Sequence, residues 1–598
     1  MIAPADHLTP DALERAQRHL VAKAIAEFAH ERLISPERRD DGGWRLTVPL
    51  GDAEYLFDAV RAELDHWIVD EDSIRRLVRG TATDLDAQQL ILELQPQLGL
   101  SDELLPLYLE EIASTLAGSM FKIAQGGPTA DALADADADF QTVEAAMTEG
   151  HPGFVANNGR IGFGVSDHAA FAPEAGRPFR LVWTAARRSS SHLALGAGID
   201  EEQLLSGELS AAERDRFATR LRDLGEDPAD FHLLPVHPWQ WENRVAITFA
   251  PDLARRDLVL IGESEDEYRA QQSVRTMFNT SHPHRHYVKT ALAVQNMGFL
   301  RGLSPAYMRV TPAINDWVAE LAAGDDTLRD AGFRVLRERA SIGYTGDVYH
   351  RTAEPSAHRK MLAALWRESP VPLVSGSQRL ATLASLLHRD GEGRSVVGAL
   401  VRASGIPAAE WVRSALRAYL RPVVHCLLAH DLAFMPHGEN LILILDEHVP
   451  TGVFMKDIGE EVALLSARTL PEDVRRIVSP VDDEEKALAI FTDVFDGVLR
   501  HLAGILHVDG VLPEIEFWRL VAETVDEHAA EHPHLDSLVD LRADSFAHSC
   551  LNRLQLRNTL RMVDLADQSS SLMYAGRLEN PIGRARIPQP AARETVGG

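Results

Sequence analysis

Residues 273–301, SVRTMFNTSHPHRHYVKTALAVQNMGFLR, hold three Arg, one Lys and three His without a single acid, in a chain of formal charge −29. Cations at these spacings converge only if the segment folds as strand, turn and strand or helix. Their convergence inside an acidic protein points to a polyanion. Ser273 and Thr276 offer hydroxyl donors, Arg275 and Arg301 can each grip oxygens in a bidentate fork, and Lys289 can place a point charge between anionic groups. Each such charged hydrogen bond contributes roughly 1.5–3 kcal/mol. The same residues also read as a surface strip that neutralises an acidic body. His282, His284 and His286 alternate and would share one face of a strand. Three His can bind zinc, but Pro283 interrupts the pattern and no carboxylate or Cys joins it, so polar or phosphate-facing histidines are the better reading.

The length of 598 residues fits two to four domains or one multi-lobed enzyme. The acidic balance argues against a nucleic-acid partner, which needs broad cationic surface, and against an anionic membrane. No apolar run reaches the roughly 18–20 residues of a spanning helix, and MIAPADHLTPDALERA lacks the basic start and apolar core of a secretory signal. Cys426 and Cys550 are the only cysteines. That excludes a disulfide scaffold and a Cys-rich zinc site, and fits a cytoplasmic location. Lysine occurs at only six positions, and two of them, Lys289 and Lys456, fall inside the motifs singled out here.

Periodicity and capping signals predict helices over about 9–33, 85–94 (ending before Pro96), 101–121 with Ser101 as cap, 201–224, 313–322, 408–430, 484–507, 513–530 and 545–564. Strands are expected at 44–48, 55–57, 66–69 and 180–183, and a hairpin at 441–445 and 451–455. Residues 149–164, with their glycines and paired Asn157 and Asn158, read as a loop whose backbone closely approaches a ligand or simply turns. Trp239, in His237-Pro-Trp-Gln-Trp241, reads as a recognition wall or, slightly better, as a core corner.

Two patterns bear on nucleotide chemistry. There is no G-x-x-x-x-G-K-[ST], so a triphosphate would have to be held by side chains. His437-Gly-Glu-Asn440, an apolar strand, a turn, a second strand and then Lys456-Asp457 place an amide oxygen and a carboxylate across a hairpin. Both are hard ligands suited to Mg2+. Protein kinases set an Asn and an Asp across a similar hairpin, but no kinase glycine loop or H-R-D triplet is present.

In this order, EGHPGFVANNGRIGFG, VHPWQW, the S-x-R-T…K…R array, HGEN and KDI resemble the NRPS-independent siderophore (NIS) synthetases, the IucA/IucC family. The likeness spans about residue 26 to Pro581 and is strongest to the desferrioxamine-forming branch. It implies an α+β fold shaped as a three-lobed cradle: a thumb over 1–175, fingers over 176–395 and a mainly helical palm over 396–598. It also implies an ATP- and Mg2+-dependent, AMP-forming ligase, commonly a homodimer. Such an enzyme adenylates a succinyl carboxylate and condenses it with an amine, here joining N-hydroxy-N-succinylcadaverine units into a macrocyclic trihydroxamate.

Carried onto this chain, Ser273, Arg275, Thr276, Lys289, Arg301, His437, Asn440 and Asp457 would bind ATP. Asn440 and Asp457 would hold the metal, Arg301, Lys289 and His437 would act in catalysis, and His151, Asn158, Arg160 and Trp239 would meet the substrate. Two departures put citrate in doubt as that substrate. The usual H-P-x-H-P-x-x-K-x-R-x-G loop has Phe154 and Asn158 in place of its second His and its Lys. Met435 stands where citrate-using relatives carry an acid. Citrate or a citrate monoamide remains the alternative substrate, a small-molecule kinase and an iron-chelate binding protein the alternative classes.

Overall fold

The computed structural model describes residues 5–147, 149–535, 539–557 and 573–587. The first helix, Pro10–His30, starts where Thr9 accepts a hydrogen bond from the Ala12 amide at 3.2 Å and Pro10 fills the first turn. Helix Ala87–Leu98 runs through Pro96 rather than stopping before it. The helix ends two residues later, and Gly99 (φ +66°) closes it in the left-handed conformation. Ser101 caps a preceding turn, accepting from the Leu104 amide at 3.2 Å, and the next helix begins only at Leu105.

The middle of the chain builds a six-stranded sheet from β1 (Ser191–Leu195), β2 (Tyr268–Ala270), β3 (Thr276–Asn279), β4 (Tyr287–Thr290), β5 (Glu338–Tyr344) and β6 (Ala363–Arg367), in the order β2-β3-β4-β6-β5-β1. Register decides what this sheet presents. Thr276 pairs with Lys289, Tyr287 with Arg367 and Arg367 with Glu338. Cross-strand partners share a face, and side chains alternate along a strand. One face of the sheet therefore carries Lys289, Arg367 and Glu338 together. The three histidines fall in the turn between β3 and β4 instead of on a strand. There His282 meets Asp266 at 2.9 Å and His286 meets Glu208 at 2.8 Å, so they do not converge.

The expected hairpin forms from Leu441–Asp446 and Val449–Met455. It is the centre of a four-stranded sheet flanked by Phe333–Val335 and Gln378–Thr382 from the middle of the chain. Three large hydrophobic cores follow the chain only loosely. One gathers residues 16–156 with Leu556, and a second gathers 181–366. The third, mostly 381–582, also takes in Ala130–Met147 and Ile314–Phe333.

Helix Ala408–His430 lies where periodicity placed it. The long helix over 483–508 is continuous, but its centre, Phe491–Leu499, is wound as a π-helix between α-helical ends. The helix expected at 545–564 begins as strand Ser545–Ser549, paired with Tyr574–Glu579, and only Leu551–Arg557 is helical. Alternating burial of Phe546 and His548 has the period of a strand. Residues 558–564 lie outside the described residues. Among the described residues no helix is long and apolar enough to cross a membrane.

Candidate active site

A cavity of about 760 Å³ opens where the loop 149–164, the six-stranded sheet, the palm hairpin and the helix 483–508 meet. Of the residues singled out in the sequence, Ser273, Arg275, Lys289, Arg301, His437, Asn440, Asp457, His151, Asn158 and Arg160 line it. Thr276 and Trp239 do not. Thr276 is buried on β3 with its hydroxyl unpartnered, and its amide donates to the Ser273 hydroxyl at 3.2 Å. Trp239 is 3% exposed in the middle core. It backs the loop at Gly162 (φ +116°), where a β-carbon would lie 3.4 Å from the indole ring. Trp239 therefore packs behind the loop and does not face the cavity.

The sheet face delivers Lys289 into a buried charge group. Lys289 Nζ contacts the Asp457 carboxylate and lies 2.7 Å from Glu460, while Arg367 joins Asp457 and sits 2.9 Å from Glu338. Burial opposes the Lys289 charge, yet Asp457 and Glu460 hold its pKa above the usual lysine value. Burial likewise opposes the Asp457 anion, and Arg367, Lys289 and Lys456 outweigh it, holding that carboxyl well below its ordinary range. Arg275 donates to the Gly302 carbonyl and reaches Glu460 at 3.3 Å. Three non-glycine residues of the cavity region sit at positive φ: Val274 (66°), Met297 (53°) and Asp457 (62°). Such conformations are costly, above all for a β-branched residue, and cluster at functional sites.

Arg301 differs from its neighbours. It is held by one hydrogen bond, to the Asn296 amide oxygen at 2.7 Å, and its Nε is buried without a partner. Among the described residues no carboxylate lies within ion-pair distance of it, and burial lowers its pKa. A half-buried guanidinium with no ion pair, facing a cavity, is poised for an anion that arrives from outside.

The loop 149–164 is fixed from two sides. Asn552 takes the Gly153 carbonyl at 2.7 Å and the Val155 amide at 3.0 Å, and Gln555 donates to the Ala156 carbonyl at 3.1 Å. Arg160 forms a bidentate pair with Glu174 at 2.7 and 2.9 Å, so its fork is already occupied. The His151 and His437 rings stand 5.8 Å apart. Burial drives His151 down to about 3 and lowers His437, leaving both neutral near pH 7. The Asn158 amide nitrogen is buried without a partner and faces Gly118, where a β-carbon would lie 3.0 Å from it.

This geometry can be set beside known proteins. Residues 139–388 match the "IucA / IucC family" model, and residues 409–566 match one described as "Ferric iron reductase FhuF-like transporter". A putrebactin synthase from Shewanella is 46% identical over 97% of this chain and 93% of its own length. The chain belongs to the IucA/IucC family. An aerobactin synthase from Escherichia coli is 29% identical over 94% of the chain and 97% of its own length. The structure of aerobactin synthetase IucC from Klebsiella pneumoniae superposes with a TM-score of 0.83 at 27% identity, covering 96% of this chain and 98% of that one. Petrobactin biosynthesis protein AsbB from Bacillus anthracis superposes at 0.85 and 22% identity over 97% of both chains. The α+β fold is that of the NIS synthetases, and this family member is an ATP-dependent ligase of siderophore synthesis.

The hairpin residues singled out in the sequence, His437, Asn440 and Asp457, line the cavity, but their partners were not singled out. Glu460 and Glu461 follow Asp457 in KDIGEE and could have been included on proximity. Arg367 and Glu338 could not, because strand pairing alone brings them to Asp457.

Asn440 donates its amide nitrogen to the Met435 carbonyl at 3.0 Å and to the Glu461 carboxylate, with no hydrogen bond to its oxygen among the described residues. Burial, with Asp457, Glu460 and Glu439 nearby, pushes Glu461 up to about 8. A donor set of amide and carboxylate oxygens under mutual repulsion fits a hard divalent cation. On the opposite wall, Glu27, His66 and His501 also bring ligand atoms together, but Arg500 lies 2.7 Å from Glu27 and 2.8 Å from His66 and opposes a cation there.

Proposed function

We propose that this synthetase adenylates the succinyl carboxylate of an N-hydroxy-N-succinyl diamine, the cadaverine compound being the expected form. The acyl-adenylate is then condensed with the amine of a second unit, and the trimer closes into a desferrioxamine-type trihydroxamate. The observation that carries this reading is the asymmetry of charge in the cavity. Arg301 stands unpaired beside a clamp of paired cations and acids, whereas the substrate side has its Arg160 occupied by Glu174 and shows Phe154 and Met435. A triphosphate suits the first. A single carboxylate on an alkyl chain suits the second better than a tricarboxylate does.

On this reading Ser273, Arg275, Lys289, Arg301, His437, Asn440 and Asp457 surround the triphosphate, with Thr276 behind Ser273. The substrate carboxylate attacks the α-phosphorus as the bond to the pyrophosphate oxygen breaks, and Arg301 stabilises the charge that builds on the equatorial oxygens. Lys289 exchanges part of its hold on Asp457 and Glu460 for the phosphates. Asn440 and Asp457, with Glu461 beside them, would hold Mg2+, which when bound neutralises the triphosphate charge. His151 and His437, neutral, can accept a hydrogen bond from the amine but are not strong bases. We also propose the division into thumb (1–175), fingers (176–395) and palm (396–598), and a cytoplasmic homodimer. The test is incubation with MgATP and either N-hydroxy-N-succinylcadaverine or citrate, with products identified by mass. The reading expects AMP, pyrophosphate and a macrocycle from the first. ADP, or turnover with citrate alone, contradicts it.

A further inference from the structure

The helix 483–508 forms one wall of the cavity with an unusual regularity. Leu488, Thr492, Asp496, Arg500 and Gly504 all line it, and so do Ala489, Asp493, Gly497, His501 and Ile505, two rows with a step of four residues. On a helix of 3.6 residues per turn such a row drifts by about 40° at each step and would leave the cavity within three turns. The π-helical stretch Phe491–Leu499 takes more residues per turn and cancels that drift, so the same face stays on the cavity. π-Helical segments are rare and recur at functional sites.

What that winding presents in its first turn is Asp493. Three acids around it are neutralised: Asp496 lies 3.0 Å from Arg500, Glu27 2.7 Å from Arg500, and Glu149 3.0 Å from His19; Glu485, two turns earlier on the same helix, also lines the cavity. Asp493 has neither ion pair nor hydrogen bond among the described residues, and its side chain is partly open to the cavity. Burial alone pushes its carboxyl up to about 7. It is also near the clamp. Burial, and then the Asp493 charge, push the Tyr419 phenol well above its usual value, and that phenol donates at 2.8 Å to the carbonyl of Pro436, which precedes His437.

We propose that Asp493 is the binding group for the incoming nucleophile, a primary alkylammonium, and the acceptor of its first proton. The inference rests on the acyl-adenylate reading above. The chemistry requires such a group, since an aliphatic amine is protonated near neutral pH and has no lone pair to attack with. A carboxylate without an ion pair on the cavity wall pairs with the ammonium, and desolvation lets the proton cross to oxygen. The freed nitrogen lone pair then attacks the acyl carbon. The C–N bond forms as the C–O bond to the phosphate breaks, AMP leaves with that electron pair, and the remaining excess proton goes to the departing phosphate.

The test compares two nucleophiles on the same acyl-adenylate, in wild type and in Asp493→Asn, an isosteric change whose folding is checked by its melting curve. Hydroxylamine, uncharged near neutral pH, traps the acyl-adenylate without needing a carboxylate, whereas the aminoalkyl substrate arrives charged. The proposal expects kcat/KM for the aminoalkyl substrate to fall about 100-fold while hydroxylamine trapping stays within about twofold of wild type. Asp493→Glu should restore part of the loss. Equal loss with both nucleophiles, or no loss with either, overturns the proposal alone. Failure of wild type to form any ATP-dependent acyl-hydroxamate overturns the adenylation reading and the proposal with it.

Discussion

The two walls of the cavity handle charge in opposite ways. On the sheet and hairpin side, Lys289, Arg367, Asp457 and Glu460 are paired with one another in the interior, and of the cations lining the cavity there Arg301 has no ion pair among the described residues. On the side of helix 483–508 the pairs Glu27–Arg500 and Asp496–Arg500 are likewise complete, and among the described residues an acid of its π-helical stretch, Asp493, has no ion pair. Among the described residues each wall thus holds a charged group without an ion pair, Arg301 on the first and Asp493 on the second, and on the proposed reading the first meets phosphate and the second an ammonium. The paired groups keep those two in place, because breaking a buried pair costs far more than forming it contributes.

The comparison breaks first at Arg301. Arg301→Ala should lower pyrophosphate release by about 10²–10³-fold, measured by a coupled phosphate assay, with an unchanged melting temperature because no ion pair is lost. Lys289→Met should show the contrast. It strands Asp457 and Glu460, so unfolding by urea should report a loss of about 3–5 kcal/mol together with weaker ATP binding. If Lys289→Met were as stable as wild type, the paired wall would not be the rigid one.

A smaller effect concerns Glu461. Its carboxyl is raised in the folded chain from about 4.5 to about 8. Between those values the unfolded chain gives up this proton and the folded chain keeps it, so the group destabilises the fold progressively as pH rises through that window. Glu461→Gln should therefore gain stability over wild type between pH 5 and 8, by denaturation midpoints at several pH values, and match it near pH 4. A constant difference across the range would remove the raised carboxyl. The smallest effect is expected behind the loop. Trp239→Phe should leave KM for both substrates within twofold and cost less than about 1.5 kcal/mol, since the indole nitrogen has no hydrogen bond to lose.

The same contrast explains what could be read from the sequence. The sheet and hairpin wall is built from short segments whose chemistry is concentrated locally, an acid-free basic stretch and a hairpin ending in Lys456-Asp457, so composition and spacing brought out most of the residues that line it. Thr276 and Trp239 stand outside the cavity lining, because a motif says nothing of which way a side chain faces. Arg367 and Glu338 carry no local signal and join the site only through strand register. Asp493 was hidden differently. Periodicity read 484–507 correctly as helix, but a π-wound turn leaves apolar spacing nearly intact while changing which polar residue meets the cavity. The strand at Ser545–Ser549 was taken for helix because the helix that follows it, Leu551–Arg557, dominates the local pattern.

The central claim is that the substrate carboxylate, with Arg301 as the facing cation, attacks the α-phosphorus of ATP. Substrate labelled with oxygen-18 in its succinyl carboxylate tests it in a single turnover analysed by mass spectrometry. Transfer of one labelled oxygen to AMP, with none in pyrophosphate or orthophosphate, is the predicted result. Label in orthophosphate, the mark of an acyl phosphate and of ADP formation, would contradict it.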